Sequence, residues 1–162
     1  MTVEQKKNKK QIGEILRDRG LINEIQLISA LAEQQRTHEF LGQILLKRSI
    51  ISDSDLAQAL SEKFELPYLN LVFDQIDWDV VQKVNPTLAV EKRCLPLFQD
   101  EWSLTAATVN PTDAQTLSEF ERYAGSRKVR WVVISDRQMD MAFSEFNKRA
   151  RRRIQEKIKD QN

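Results

Sequence analysis

Apolar positions recur at helical spacing through the first third of the chain, and they do so twice. Ile12, Ile15 and Leu16 fall at i, i+3 and i+4 and predict one apolar face of a short helix. Gly20 supplies a residue that can end that helix at positive φ, Leu21 and Ile22 turn inward after it, and Asn23 with Gln26 reads as a capping box. Ile25, Leu27, Ile28 and Leu31 then predict the buried stripe of a second helix. Residues 40–63 repeat residues 11–34 at an offset of 29: Ile12 matches Leu41, Gly13 matches Gly42, Leu16 matches Leu45, and Leu27, Ala30 and Leu31 match Leu56, Ala59 and Leu60. Two tandem helix hairpins joined by Gln35 to Glu39 follow, ending near Phe64. Ser52 and Asp55 stand in the capping positions of the second copy.

Two features of the repeat leave alternatives open. Ser49 replaces the turn glycine, which means either a left-handed serine costing about 1 kcal/mol or a different turn. Gly13 and Gly42 sit one turn inside equivalent helices, where glycine is unfavourable. They imply close approach to the backbone, by a neighbouring helix or by a ligand.

From Leu66 the pattern changes. Leu66 to Leu71 reads as extended, Val80, Val81 and Val84 mark a short amphipathic helix, and Pro86 opens another through Lys92. Cys94–Gln99 and Ser103–Val109 predict a hairpin. Asn110–Asp113 predicts a turn and cap before a helix ending at Gly125, Val129–Ile134 a strand, and Ser135 the cap of a last helix. The Trp and Phe residues are read as core. The fold expected is α+β: a helical tandem-repeat unit over residues 1–65, an extended linker over 66–72, a small α/β unit with a three-stranded sheet over 73–147, and a basic helix end or tail over 148–162.

Composition narrows the chemistry. The 162 residues hold 4 Gly, 1 Cys and 1 His. No glycine-rich phosphate loop and no cluster of metal ligands can be built from these, and Cys94 and His38 make no triad. The reading is of a chain with no catalytic residues, no metal and no cofactor. No apolar run is long enough for a transmembrane segment, and none follows the lysine-rich start, so no signal peptide is expected. The net charge of +1 is unevenly spread: residues 1–10 carry +3 and residues 147–162 carry +5, leaving about −7 between them. A basic tail such as Lys148, Arg149, Arg151, Arg152 and Arg153 could grip nucleic acid or an anionic membrane surface, but the favoured reading is the polar end of a helix or a solvated linker, and without interleaved aromatics no nucleic-acid partner is expected.

The repeated [L/I]-G-x-x-[L/I]-L-x-x-[G/S]-[L/I]-I-x-x-x-x-L-x-x-x-L block, followed by F-x-L-P-Y-L-N-L, L-P-L-F and L-T-A-A-T-V-N-P-T-D, resembles the N-terminal domain of type II secretion and type IV pilus assembly ATPases. Within that family it is most similar to the tandem-motif kind that binds cyclic di-guanylate. The resemblance implies a cytoplasmic, non-catalytic regulatory or docking domain that can be peripheral at the inner membrane through a partner. Such a domain normally precedes a motor, so this chain is a piece of a longer ATPase or a freestanding relative.

Carried over by resemblance, the candidate ligand positions are Gln11, Ile12, Gly13, Leu16, Gly20, Leu27, Leu31 and Gln34 in the first copy. In the second they are Phe40, Leu41, Gly42, Leu45, Leu56, Leu60 and Lys63. The departures fall at special positions: Gln11 and Phe40 replace arginines, Ser49 a glycine, Lys63 a glutamine, and Asn110 alters an acidic box. Each lost arginine removes a planar cation worth about 1 to 3 kcal/mol when buried. The expectation is therefore an adaptor that docks an inner-membrane platform protein or a motor ATPase, with cyclic di-guanylate sensing through the same motifs as the alternative.

Overall fold

The computed structural model describes residues 9–160; most of the lysine-rich start noted above lies outside them. Four helices come first: α1 (Ile12–Asp18), α2 (Glu24–Thr37), α3 (Leu41–Lys47) and α4 (Asp53–Phe64). Helix α2 runs two residues beyond the expected connector start, so the link between hairpins shrinks to His38–Phe40, with His38 at φ 58° ending the helix. Both capping boxes form. The Gln26 amide donates to Asn23 Oδ1 at 2.8 Å and the Asp55 amide to Ser52 Oγ at 3.1 Å. The turns after α1 and α3 are alike: Leu21 N–H reaches Leu16 O at 3.0 Å, and Ile50 N–H reaches Leu45 O at 3.0 Å. Ser49 adopts φ 54° where Gly20 has 71°, so the serine is left-handed and the turn is conserved at the cost of strain.

The hairpins pack crosswise, α1 on α4 and α3 on α2, around Ile15, Leu16, Ile44 and Leu45. This is a pseudo-twofold arrangement, and the ion pairs obey it. Arg19 meets Glu62 at 3.2 Å, and the equivalent Arg48 meets Glu33. Lys10 meets Asp18 at 2.7 Å, while Glu39 and Lys47 pair at the matching places with the charges exchanged.

Leucine and isoleucine spacing misleads in one place. Leu27 and Ala30 are buried on α2, but Ile25 and Ile28 are 79% and 59% exposed instead of completing the buried stripe. Among the described residues α2 packs on α3 and α1, and Ile25 and Ile28 stay outside that packing.

The second unit begins with an extended stretch whose Pro67 carbonyl accepts from Val133 N–H at 2.8 Å and whose Leu69 N–H donates to Val133 O at 2.9 Å. A 3-10 turn (Phe73–Gln75), α5 (Trp78–Gln82) and α6 (Pro86–Lys92) lead to β1 (Cys94–Gln99), β2 (Ser103–Thr108), α7 (Ala114–Tyr123), β3 (Lys128–Val133) and α8 (Asp136–Lys159). The sheet order is β1-β2-β3, antiparallel then parallel, with an irregularity between Pro96 and Phe98. The parallel step needs a crossover, which α7 supplies.

Trp78, Phe120 and Trp131 are core residues as expected, with the Phe120 and Trp131 rings 5.2 Å apart. Trp102, at the tip of the β1–β2 hairpin, is 76% exposed and Phe98 is also exposed, so neither joins the core expected of them.

Candidate functional site

Two helix hairpins related by a pseudo-twofold leave a groove between them, and the α/β unit closes one of its walls. The groove has a volume of about 690 Å³, inside the range of small-ligand pockets. Gln11, Ile12, Gly13, Leu27, Leu31 and Gln34 line it from the first copy, and Phe40, Leu41, Gly42, Leu56, Leu60 and Lys63 from the second. Leu16 and Leu45 do not reach it: both are fully buried where the hairpins cross. Gly20 also stays away, at an exposed turn where its positive φ is the whole of its role.

The interior glycines are explained by the neighbouring helix. A Cβ on Gly13 would lie 2.6 Å from Leu27 Cδ1 and 3.1 Å from Leu41 Cδ2; one on Gly42 would lie 2.6 Å from Leu56 Cδ1. Each glycine therefore seats the leucine of its own hairpin partner, Leu27 or Leu56, against bare backbone. Both glycines and both leucines also line the groove, so this helix packing sets its floor.

The motif ends meet at twofold-related places. Lys63 Nζ donates to Gln11 Oε1 at 3.2 Å, joining the close of copy two to the opening of copy one. Gln34 Nε2 donates to Glu39 O at 3.1 Å, joining the close of copy one to the residue before Phe40. Among the described residues no arginine lines the groove, and its charged residues are Lys63 and the carboxylates Glu14, Asp53 and Asp136. Glu14 accepts from the Gln11 amide at 2.7 Å, at the start of α1.

Asp53, at the start of α4, makes the most informative bond set in the wall. Its two oxygens accept from the Asp136 and Arg137 amides at 3.0 and 2.9 Å. Ser135 Oγ takes the next amide, Gln138, at 3.2 Å, so the first turn of α8 has its orphan donors satisfied from two units. Val109, Asn110, Thr112 and Ile134 complete this wall. None of the residues from the α/β unit was among the sequence candidates. The altered box at Asn110 was the one signal that pointed there; Asp53 and Asp136, more than eighty positions apart, carried none.

Catalytic chemistry finds no support at the isolated special residues. His38 is exposed at the end of α2, whereas Cys94 is fully buried in β1. Desolvation pushes the Cys94 thiol up to about 11, which leaves it a packing residue. Among the described residues no group of three His, Cys, Asp or Glu could hold a metal ion, and no helix is long and apolar enough to cross a membrane.

The MshEN domain family model matches residues 64–153, more than half of the chain. The chain belongs to the MshEN domain family. The match covers the α/β unit and begins where the tandem motifs end. A solved structure of MshE with cdg superposes on this MshEN domain at a TM-score of 0.73 and 23% identity, covering 85% of this chain and 99% of that one. The N-terminal domain of XpsE superposes at 0.66 and 17% identity, covering 88% and 97%. A second crystal form of the XpsE domain gives 0.53 and 18%, over 88% and 98%. These likenesses are of fold. No curated protein sequence matches the chain.

Proposed function

We propose that this MshEN domain is a non-catalytic regulatory or adaptor module of a type II secretion or type IV pilus system that works by protein–protein docking. One observation carries the reading: α2 holds Ile25, Ile28 and Leu31 exposed along three successive turn positions, at 79%, 59% and 40%. The equivalent side of α4 is covered by the chain's own β3 and α8. An apolar row at that spacing, beside a groove that Leu31 and Phe40 also line, is a seat for a helix or strand of a partner. The partner expected is a cytoplasmic segment of the inner-membrane platform protein or the motor ATPase. Pull-down of those segments by the intact chain tests this. Ile28→Asp should abolish capture with the melting temperature unchanged; capture that survives the substitution, or no partner at micromolar concentration, ends the docking reading.

A second reading is favoured by the groove itself. Residues from both copies face it at twofold-related positions, which suits a twofold ligand such as cyclic di-guanylate, and MshE has been solved with cdg. Its two phosphodiesters would meet three carboxylates and one lysine, so the expected affinity is weak. Calorimetric titration decides it: absence of heat and of a melting shift at about 100 μM nucleotide removes the sensing role.

A further inference from the structure

Helix α8 outruns the fold it belongs to. Met139 and Ala142 are buried and Phe143 and Phe146 are half-buried against the sheet unit, but every residue from Arg151 to Asp160 is exposed. The apolar stripe nevertheless continues at helical spacing as Ala150, Ile154 and Ile158, with the two isoleucines 59% and 57% exposed. At 100° per residue these three lie within about 80° of arc, and Arg151 and Lys157 flank them on either side.

The cations of this segment divide into two groups. Arg149 and Arg153 are tied to the fold: Arg149 sits 4.9 Å from the Trp78 ring and pairs with Glu145 at 2.8 Å, and Arg153 pairs with Asp79 at 2.9 Å. Lys148, Arg151, Arg152, Lys157 and Lys159 have no ion pair among the described residues, and Glu156 is the single acid on the helix after Glu145. Two unpaired cations beside an apolar row, with Lys148, Arg152 and Lys159 on the opposite face near Glu156 and Asp160, have a definite complement: a surface that is both anionic and able to take isoleucine out of water.

We infer that the end of α8 seats on an anionic membrane surface, with Ile154 and its neighbours in the headgroup boundary and Arg151 and Lys157 at the phosphates. Long basic side chains flanking an apolar row are suited to this depth, since their stems lie along the apolar layer while the charges stay at the interface. A second copy of the helix is the wrong complement, because two such ends repel. A nucleic acid would use the cations but not the isoleucines, and no aromatic side chain follows Phe146 to stack on bases. The seat is separate from the α2 face and from the groove, so it stands whether or not either of those is occupied.

Co-sedimentation of the full chain with vesicles tests it, using phosphatidylcholine alone against phosphatidylcholine with about a third phosphatidylglycerol. Binding is expected on the anionic vesicles only and should weaken as salt rises. Arg151→Ala with Lys157→Ala should lower the partition by about 25-fold, near fivefold per cation. Ile154→Ser should lower it by about tenfold. All three positions are exposed, so the melting temperature should not change. No binding to anionic vesicles overturns the inference, as does binding that ignores Ile154→Ser, or capture of a DNA duplex or an acidic protein in preference to vesicles.

Discussion

Hairpin α1–α2 and hairpin α3–α4 share a motif, a turn and a capping scheme, yet their second helices live in different surroundings. Helix α4 lies between the other hairpin and the α/β unit; among the described residues α2 packs on α3 of the other hairpin and on α1 of its own, and not on the sheet unit to any comparable extent. The sequence responds where the surroundings differ. Ile25 and Ile28 on α2 become Ser54 and Ala57 on α4, and those small residues let the sheet unit approach, with Ser54 Oγ 3.1 Å from the Tyr68 hydroxyl and Ala57 buried. One copy has traded apolar bulk for an internal interface; the other keeps its bulk in the open. That contrast is why the exposed row on α2 reads as a docking face and not as a stray accident of composition.

The contrast can be tested by placing the same charge on both helices. Ala57→Asp should destabilise the fold by about 2 kcal/mol, because Ala57 is buried beside the groove and a carboxylate there loses hydration without gaining a partner, while Ile28→Asp should stay within about 0.5 kcal/mol. Urea unfolding followed by circular dichroism measures both; equal losses would show that α2 is as covered as α4. Next in size, Gly42→Ala should cost about 1 to 2 kcal/mol, since three atoms of Leu56 lie within 3.4 Å of the added carbon. Gly13→Ala should cost less, because the close atoms there are the ends of two different leucines and the gain in helix propensity offsets part of the strain.

The turns offer a smaller exchange. Ser49→Gly should stabilise by about 0.5 kcal/mol and Gly20→Ser should destabilise by about 1 kcal/mol, as both positions need positive φ. Smallest of all, double-mutant cycles on Arg19–Glu62 and Arg48–Glu33 should give about 0.2 to 1 kcal/mol each. The second should be the larger, because Glu33 is less exposed than Glu62 and Arg48 also donates to Ser29. Coupling in one cycle only would mean that the pseudo-symmetry is geometric without being energetic.

Much of this architecture was legible because its causes are local. Capping at Asn23 and Ser52, the turn at Gly20 and the strand pattern of Val129 to Ile134 each depend on neighbours within a few positions. The groove was partly legible because repetition at a fixed offset marks equivalent sites. What stayed hidden depends on distant chain. Periodicity cannot separate Leu16, closed over by the other hairpin, from Leu27, which borders a groove. Nor can it tell that Ile28 lacks the cover Ala57 receives from residues some eighty positions onward. Asp53 and Asp136 belong together only once α4 and α8 are in place.

The carboxylate of Asp53 has a practical corollary for anyone dividing this protein. It finishes the opening turn of a helix that begins more than eighty residues later, so the sheet unit borrows part of its own secondary structure from the helical one. A fragment started at Pro67 would carry bare amides at the head of its longest helix. Separating the two halves would therefore remove part of the cap of α8.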